Sequence, residues 1–210
     1  MHKYVIMGVQ GCGKGTQAQM LEQALELVHI SVGDIFRWHI QNRTKLGAKV
    51  KRIVASGTLV GDDVVEDIIR RRLDEHDWNS GFILDGFPRS ASQASFFLES
   101  YDIDAVIHIH VPDEVVRDRV MSRRLCSQCG LDYNLISQRP KLENVCDVCR
   151  GQLIARPDDT AEAIAERLHD YHTKTEPVLT LFRRKELVLD IDGTPPPKEI
   201  QAEILSRLAI

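Results

Sequence analysis

Residues 4–17 constrain the fold of this chain more than any other segment. A short apolar run, Tyr-Val-Ile-Met, leads into the turn GVQGCGKGTQ, and the spacing from Gly8 to Gly13 and Lys14 is that of a phosphate-binding loop. Glycines let the backbone curve closely around an anion, so that consecutive N–H groups and the start of the next helix face phosphate oxygens. The segment predicts a strand, a phosphate loop and a helix, with Lys14 as a mobile charge and Thr16 as a hydroxyl near the metal.

The loop departs from the strict pattern at one position. Gly15 stands where Ser or Thr follows the lysine, and Thr16 comes one residue later. The alternative interpretation is a glycine-rich turn that binds no ligand. Strand, loop, lysine and helix occur in the required order, which favours the phosphate site.

Composition and charge narrow the class of protein. With 210 residues the chain is long enough for one α/β domain with inserts. Its net charge of −4 provides no general attraction for nucleic acid or an anionic membrane, and no apolar run approaches the roughly 18 residues that span a bilayer. The phosphate loop begins so near the N-terminus that we expect no signal peptide and a cytoplasmic location.

Apolar runs along the chain predict the strands of a parallel sheet. Such runs are typical of strands buried on both faces, and here they alternate with helical patterns. The prediction is an α/β fold with a doubly wound, five-stranded parallel sheet formed by residues 4–7, 28–32, 81–84, 105–111 and 186–191. Because ligands bind at the carboxyl ends of parallel strands, the loops after Met7, Leu84, Val111 and Ile191 are expected to face one cleft.

Helical periodicity fills most of the remaining chain. The predicted helices are residues 38–57, 62–75 and 113–125, a helix from Thr160 to His172 or beyond, and residues 198–208. Residues 126–156 break this alternation and have little apolar periodicity, which indicates a small inserted domain.

Asp85 and six arginines are candidates for phosphate chemistry. Asp85 ends the third predicted strand, where a carboxylate can hold Mg²⁺ through water; the alternative is a helix cap or a surface turn. Each arginine alone is a solvated surface charge, but together they could stabilise a phosphoryl group in transfer, where one arginine contributes roughly 10³–10⁵ in rate. The arginines are Arg37, Arg89, Arg119, Arg123, Arg156 and Arg167.

Four of the five cysteines form two Cys-x-x-Cys pairs. Cys126 and Cys129 are followed, after sixteen residues, by Cys146 and Cys149, a spacing typical of a four-cysteine zinc site. Four thiolates leave no open coordination position, so we expect a structural zinc ion that replaces a missing apolar core. The alternative is four unrelated buried cysteines.

Taken together, six segments resemble the adenylate kinase family: residues 8–17, 33–37, 85–93, 118–124, 156–159 and 167–171. The sequence Asp-Gly-Phe-Pro-Arg at 85–89 is highly specific to nucleoside monophosphate kinases, and the resemblance covers essentially the whole chain. The cysteine insert is similar to the zinc-bearing lid of the long bacterial form. The resemblance implies a core of residues 1–30, 61–125 and 160–210, a monophosphate-binding segment at 31–60 and a lid at 126–159.

The resemblance also implies the reaction and its partners. A monomeric enzyme would transfer a phosphoryl group reversibly from MgATP to AMP, giving two ADP, while the closed lid excludes water. The implied cofactors are Mg²⁺ with ATP and a structural Zn²⁺, and the small-molecule partners are ATP, AMP and ADP.

The resemblance assigns three sets of site residues. The first contacts ATP: Gly11, Cys12, Gly13, Lys14, Gly15, Thr16, Arg119, Arg123, Asp132, Tyr133, Pro195 and Pro196. The second contacts AMP, with Gln93 able to read an adenine edge: Val32, Arg37, Thr58, Leu59, Val60, Gly86, Phe87, Pro88, Arg89, Gln93, Arg156 and Arg167. The third acts in the transfer: Lys14, Asp85, Arg89, Arg123, Arg156 and Arg167.

Three residues depart from the family pattern. Gln10 replaces the usual proline of the loop, and Cys12 occupies a small-residue position where we expect it to be inert. Val32 replaces a threonine whose hydroxyl lies by the acceptor base. Loss of that hydroxyl can weaken discrimination between bases by about 1–3 kcal/mol.

Two further functions remain open at this point. Val32 is the one observation in favour of UMP, CMP or GMP as the acceptor. A nucleic-acid-binding zinc ribbon on a nucleotide-sensing domain is a function of another class, but the acidic residues of the insert and its single tyrosine, Tyr133, do not form a dense basic face.

Overall fold

The computed structural model describes residues 2–77, 80–156 and 158–210. Met1, Trp78, Asn79 and Pro157, which belong to the predicted core and lid segments, lie outside the described residues. The central strands are β1 Lys3–Met7, β2 Val28–Ser31, β3 Phe82–Asp85, β4 Ala105–His110 and β8 Val188–Asp192. All are parallel, in the order β2-β3-β1-β4-β8. The α/β class and the five strands are confirmed, although β3 begins one residue and β8 two residues later than predicted.

Helices connect and cover the strands. They are α1 Lys14–Leu25, α2 Val32–Gln41, α3 Lys45–Ser56, α4 Asp62–Asp74, α5 Ala91–Ser100, α6 Asp113–Met121, α7 Ala161–Asp170, α8 Leu179–Arg183 and α9 Pro197–Arg207. A π-helical turn, Tyr171–Thr175, and a 3₁₀ turn, Glu176–Val178, extend α7 beyond its predicted minimum at His172. Among the described residues, no helix has both the length and the apolar character needed to cross a membrane.

The sheet separates two apolar cores because side chains alternate between its faces. On β1, Tyr4 and Ile6 pack into one core with residues of α1, α6, α7 and α9, whereas Val5 and Met7 pack into the other with residues of α4, α5 and α8. Both faces of the sheet are therefore covered by helices, as the continuous apolar runs predicted.

The single helix predicted at 38–57 was wrong. The chain forms α2 and α3, separated by residues 42–44, and Thr44 Oγ1 accepts a hydrogen bond of 3.0 Å from the Gly47 N–H to start α3. The predicted end at Gly57 is confirmed, since Gly57 adopts the left-handed conformation with φ 84°. Helix α5, with Ser90 as its N-cap, and the short α8 were not predicted.

The helix predicted at 113–125 was too long. It ends at Met121, and Arg123–Cys126 forms a strand, β5, instead. β5 pairs antiparallel with β6 Asp132–Asn134 on one side and β7 Leu153–Ile154 on the other. Residues 123–125, assigned to the core by the sequence, therefore belong to the small sheet of the insert.

Candidate functional site

A cleft of about 770 Å³ lies at the carboxyl ends of the parallel strands. The loops after β1, β3 and β8, the start of α2, helix α6 and the cysteine insert all line it. Every residue predicted to contact ATP or AMP, together with Asp85, lines this cleft, whereas the four paired cysteines do not. The expectation that these strand ends share one cleft is confirmed for the loops after β1, β3 and β8; after β4, helix α6 lines the cleft in place of the loop at Val111.

The phosphate loop has the backbone geometry that its glycines predict. Gly8 has φ 143°, and an added Cβ would lie 2.4 Å from the Ile109 carbonyl oxygen. Gly13 has φ 106° and is the N-cap of α1, where an added Cβ would meet nothing within 4 Å. Because α1 begins at Lys14, its first N–H groups and its positive end face open space, as an anion site requires.

Lys14 and Arg119 hold the loop through backbone carbonyls. Lys14 Nζ donates to the Val9 carbonyl at 2.9 Å. Arg119 donates to the carbonyls of Gly193 at 2.8 Å and Cys12 at 3.4 Å, which joins the phosphate loop to the loop that follows β8. Burial raises the pKa of the Cys12 thiol, and the side chain is fully buried, consistent with the inert role expected for it.

Asp85 lies directly against the phosphate loop. A Cβ added at Gly15 would be 3.8 Å from Asp85 Oδ2, and His29 Nε2 is 3.7 Å from the same oxygen. Burial alone would raise the pKa of Asp85, but His29, Lys14 and other cations hold it below its usual value. Asp85 is therefore an ionised carboxylate beside the loop, which suits a hydrated Mg²⁺.

Arginines from separate segments converge on the cleft, each beside a carboxylate. Arg123 Nε and Asp159 Oδ2 are 2.9 Å apart, Arg156 donates to both oxygens of Asp132 at 3.0 and 3.1 Å, and Arg167 Nη2 donates to Asp158 at 2.6 Å. Arg37 pairs with Asp34 one helical turn away. The predicted convergence is confirmed. Asp132 was already among the residues predicted to contact ATP, whereas Asp34, Asp158 and Asp159 were not identified as site residues. Three of the four pairs join residues nine or more positions apart in the sequence.

The arginines are close enough to repel one another. Burial lowers the pKa of Arg156, and the charges of Arg123 and Arg37 lower it further. Burial also lowers the pKa of Arg89; Asp85 opposes this shift, whereas Arg167 and Arg37 add to it. Arg156 Nε is buried and donates to no acceptor among the described residues. Partly desolvated guanidinium groups at close range are what a site for polyphosphate anions needs.

The wall of the cleft that contains Val32, Leu59 and Val60 is mostly apolar. Val32 and Val60 are buried, and the Leu59 N–H donates to Asp170 Oδ2 at 3.3 Å. Gln93 is only 1% exposed, with its amide oxygen bonded to the Arg89 N–H at 2.8 Å. Val32 supplies no hydrogen-bonding group to this wall, as the sequence predicted.

The four paired cysteines form one cluster. Their sulfurs all lie within 4.8 Å of one another; Cys126 and Cys149 are 3.3 Å apart and Cys129 and Cys146 3.6 Å apart, and none forms a disulfide. Metal–sulfur bonds of about 2.3 Å in a tetrahedron place sulfurs about 3.8 Å apart, so the cluster fits such an ion closely. The cluster can therefore hold a metal, and the alternative of unrelated cysteines was wrong.

Tyr133 is more closely tied to this cluster than to the cleft. Its ring is buried, its hydroxyl donates to Cys146 Sγ at 3.5 Å, and the same hydroxyl accepts from the Asp147 N–H at 2.7 Å. Hydrogen bonds from the Cys149 backbone N–H and from Tyr133 lower the pKa of Cys146 to about 6. No sequence pattern indicates this contact, because it depends on how β6 packs against the second Cys-x-x-Cys turn.

Gln10 connects the phosphate loop to the hinge of the insert. Its Nε2 donates to Asp159 Oδ1 at 3.2 Å, on the carboxylate that also binds Arg123. Asn134 Nδ2 donates to the Arg119 carbonyl at 2.9 Å, which is a second contact between insert and core. The insert therefore contacts the core through both hydrogen bonds.

Comparisons with known proteins agree with this site. The adenylate kinase family model matches residues 6–187. An adenylate kinase of Acetivibrio thermocellus is 41% identical and covers 99% of this chain and 98% of its own length. Adenylate kinases of Clostridium tetani (41% identical, 93% of each chain) and Treponema pallidum strain Nichols (41% identical, 99% of this chain and 98% of its own) are similar over the same span. The chain therefore belongs to the adenylate kinase family, the phosphotransferases that use Mg²⁺ with ATP and interconvert ATP, AMP and ADP.

Proposed function

We propose that this cleft binds MgATP and AMP face to face and transfers the γ-phosphoryl group directly between them, giving two ADP reversibly. The observation that carries this proposal is the convergence of Arg89, Arg123, Arg156 and Arg167 on the cleft that the phosphate loop opens into. In-line transfer requires no protein nucleophile; it needs two fixed phosphates and cations around the group that moves.

The ATP side is assigned to the phosphate loop, the lid and the loop after β8. Backbone N–H groups from Gly11 to Thr16 bind the phosphates, and Lys14 leaves the Val9 carbonyl for an outer phosphate oxygen. Arg119, Asp132, Tyr133, Pro195 and Pro196 surround the remainder of ATP. Asp85 would hold a hydrated Mg²⁺, which would neutralise charge on the phosphates.

The AMP side is assigned to the segment that contains α2 and α3 and to the loop after β3. Arg37 and Arg89 bind the monophosphate, with Arg156 and Arg167 between it and the transferred group. The base contacts are assigned to Val32, Thr58, Leu59, Val60, Gly86, Phe87, Pro88 and Gln93.

The aspartates explain how the arginines stay in place before substrate arrives. Each pair keeps a guanidinium ordered in the cleft, and a phosphate oxygen offers the same charge-assisted hydrogen bonds as the carboxylate it displaces. The exchange avoids desolvating bare cations at the moment of binding. The arginines are then preorganised for the charge that spreads over the equatorial oxygens during transfer.

We assign the lid to residues 123–159, so that it starts with β5 and not at the predicted residue 126. The monophosphate-binding segment stays at 31–60. Closure of the lid over ATP excludes water, which competes with AMP for the phosphoryl group. We assign Zn²⁺ to the four-cysteine cluster as a structural ion. We further propose that the enzyme is monomeric and cytoplasmic and that it has no nucleic-acid or membrane partners. The zinc-ribbon function is not favoured, since Arg123 and Arg156 of the insert face the cleft.

A panel of acceptors tests the proposal. Initial rates with MgATP and AMP, CMP, UMP or GMP are expected to be highest for AMP, and ADP should form in a two-to-one ratio to the ATP consumed. If CMP, UMP or GMP turns over faster than AMP, that nucleotide is the preferred acceptor in place of AMP. If none of the four turns over, the kinase assignment of the cleft is rejected.

Restoring a hydroxyl at position 32 is expected to sharpen acceptor choice. Val32 is 4% exposed and lines the cleft, and threonine has nearly the same shape. Val32→Thr should raise the preference for AMP over the other acceptors by about 1–3 kcal/mol, as judged by ratios of kcat/KM. Val64→Thr, at an α4 position that does not line the cleft, should leave these ratios unchanged. Equal ratios in Val32→Thr and the parent enzyme would remove residue 32 from base selection.

A further inference from the structure

The amide of Gln93 is held from both ends by protein groups. Its Oε1 accepts from the Arg89 backbone N–H at 2.8 Å, and its Nε2 donates to Asp62 Oδ1 at 2.7 Å. Asp62 is the first residue of α4 and lies 31 positions earlier in the chain. With Gln93 only 1% exposed, water cannot replace either partner.

Ser90 closes the network. Its hydroxyl donates to Asp62 Oδ2 at 2.8 Å and accepts from the Gln93 backbone N–H at 3.2 Å as the N-cap of α5. Both oxygens of Asp62 are thereby engaged, and the carboxylate lies at the positive end of α4. The position of Asp62 relative to Gln93 is therefore determined by two helix starts.

This network allows one direction of the amide. A backbone N–H can only donate and a carboxylate can only accept. A rotation of the Gln93 amide by 180° would set Nε2 against the Arg89 N–H and Oε1 against the Asp62 carboxylate, which leaves four buried polar groups unpaired or repelling. One lone pair on Oε1 and one N–H on Nε2 remain for a ligand.

We propose that Asp62 determines base specificity by holding Gln93 in this direction, so that the cleft selects amino bases over oxo bases. Adenine and cytosine present an amino donor next to a ring-nitrogen acceptor, whereas guanine and uracil present a carbonyl acceptor next to a ring N–H donor. An amide of one direction matches the first pattern and opposes the second. Asp62 acts through Gln93 and is a positioning residue. The inference rests on the proposed function, in which Gln93 faces the acceptor base.

The direction of the amide separates bases of equal size. It predicts a preference for AMP over GMP and, among pyrimidines, for CMP over UMP. It makes no contribution to the choice between purine and pyrimidine, which depends on the size of the cleft. The AMP/GMP and CMP/UMP ratios of kcat/KM therefore report the direction of the amide independently of the shape of the site.

Asp62→Asn is the decisive variant. An asparagine can donate or accept, so in this variant the Arg89 N–H is the one partner of the pair that still opposes a reversed Gln93 amide, and reversal costs less than in the parent. Two ratios of kcat/KM, AMP over GMP and CMP over UMP, are each expected to fall by about tenfold. The fall should come from changes in the KM of the monophosphates, and the KM of ATP should stay the same. Asp62→Glu, which keeps an acceptor-only group, should retain the parent ratios.

Asp63→Asn is the matched control. It removes the same charge from the same helix start, one residue further on, where the side chain is exposed. Its acceptor ratios should equal those of the parent.

The outcomes separate this inference from the proposed function. If the parent enzyme prefers AMP and Asp62→Asn keeps the parent AMP/GMP and CMP/UMP ratios, the role of Asp62 is overturned and the proposed function stays intact. An equal loss on all four acceptors would overturn it as well. A parent enzyme that does not phosphorylate AMP would reject the proposed function first, and this inference with it.

Discussion

Replacing Arg89 by alanine is expected to lower kcat by about 10³–10⁵-fold, with the fold intact. Arg89 Nε donates to the Gly86 carbonyl at 2.8 Å, which directs the guanidinium from the loop after β3 into the cleft. Its two terminal nitrogens bond no acceptor among the described residues, so they remain for phosphate oxygens. Arginine stays charged despite the burial that lowers its pKa.

Steady-state rates of ATP and AMP turnover measure this loss, and circular dichroism with thermal unfolding verifies the fold. Arg71→Ala is the control, because Arg71 is an exposed residue of α4 whose ion pair with Asp67, at 2.9 Å, lies outside the cleft. It should retain full activity. An Arg89→Ala enzyme that keeps most of its turnover would remove Arg89 from the transfer.

Removing the metal is expected to unfold the lid before the rest of the molecule. The apolar cluster of the insert contains four buried residues, Cys126, Tyr133, Cys146 and Leu153, and two of them belong to the proposed metal site. A structural zinc ion contributes about 10–16 kcal/mol in zinc-finger peptides, far more than one tyrosine and one leucine supply by burial at about 1.5–3 kcal/mol each. Chelation should therefore produce a separate, lower melting transition.

Hydrogen exchange locates this transition, and elemental analysis verifies metal content. Amides of β5, β6 and β7 should lose protection at temperatures where β1 and β4 keep theirs. Cys146→Ser is expected to bind less than one metal per chain, while Cys12→Ser, which alters the cysteine outside the cluster, should keep it. An unchanged unfolding profile in protein verified as metal-free would contradict a stabilising role for the ion.

Several elements were predictable because their signals are local. The phosphate loop, the five strands and the paired cysteines each depend on residue types at short spacing, and the structure contains all of them. The break between α2 and α3 was missed because apolar residues continue at helical spacing across residues 42–44, while the stop depends on the cap made by Thr44. The change from helix to strand after Met121 was missed because β5 exists only through pairing with β6 and β7.

The partners of the site residues were beyond the reach of sequence patterns. Arg156 and Asp132 are 24 positions apart, Arg123 and Asp159 are 36 apart, and Gln10 and Asp159 are 149 apart. No periodicity relates such positions. Only Asp34 and Arg37, three residues apart on α2, have a spacing that predicts contact.

Short-range chemistry in the chain was thus sufficient to specify a phosphate-binding α/β enzyme with a four-cysteine insert, since glycine torsions, buried apolar runs and thiol spacing act within a few residues. Which carboxylate holds each arginine, why the Tyr133 hydroxyl meets a cysteine, and which way the Gln93 amide points were settled by folding. Those features depend on hydrogen bonds and charges brought together from distant segments. Burial then determines which partner each group bonds, because a buried group that lacks its partner cannot bond water instead.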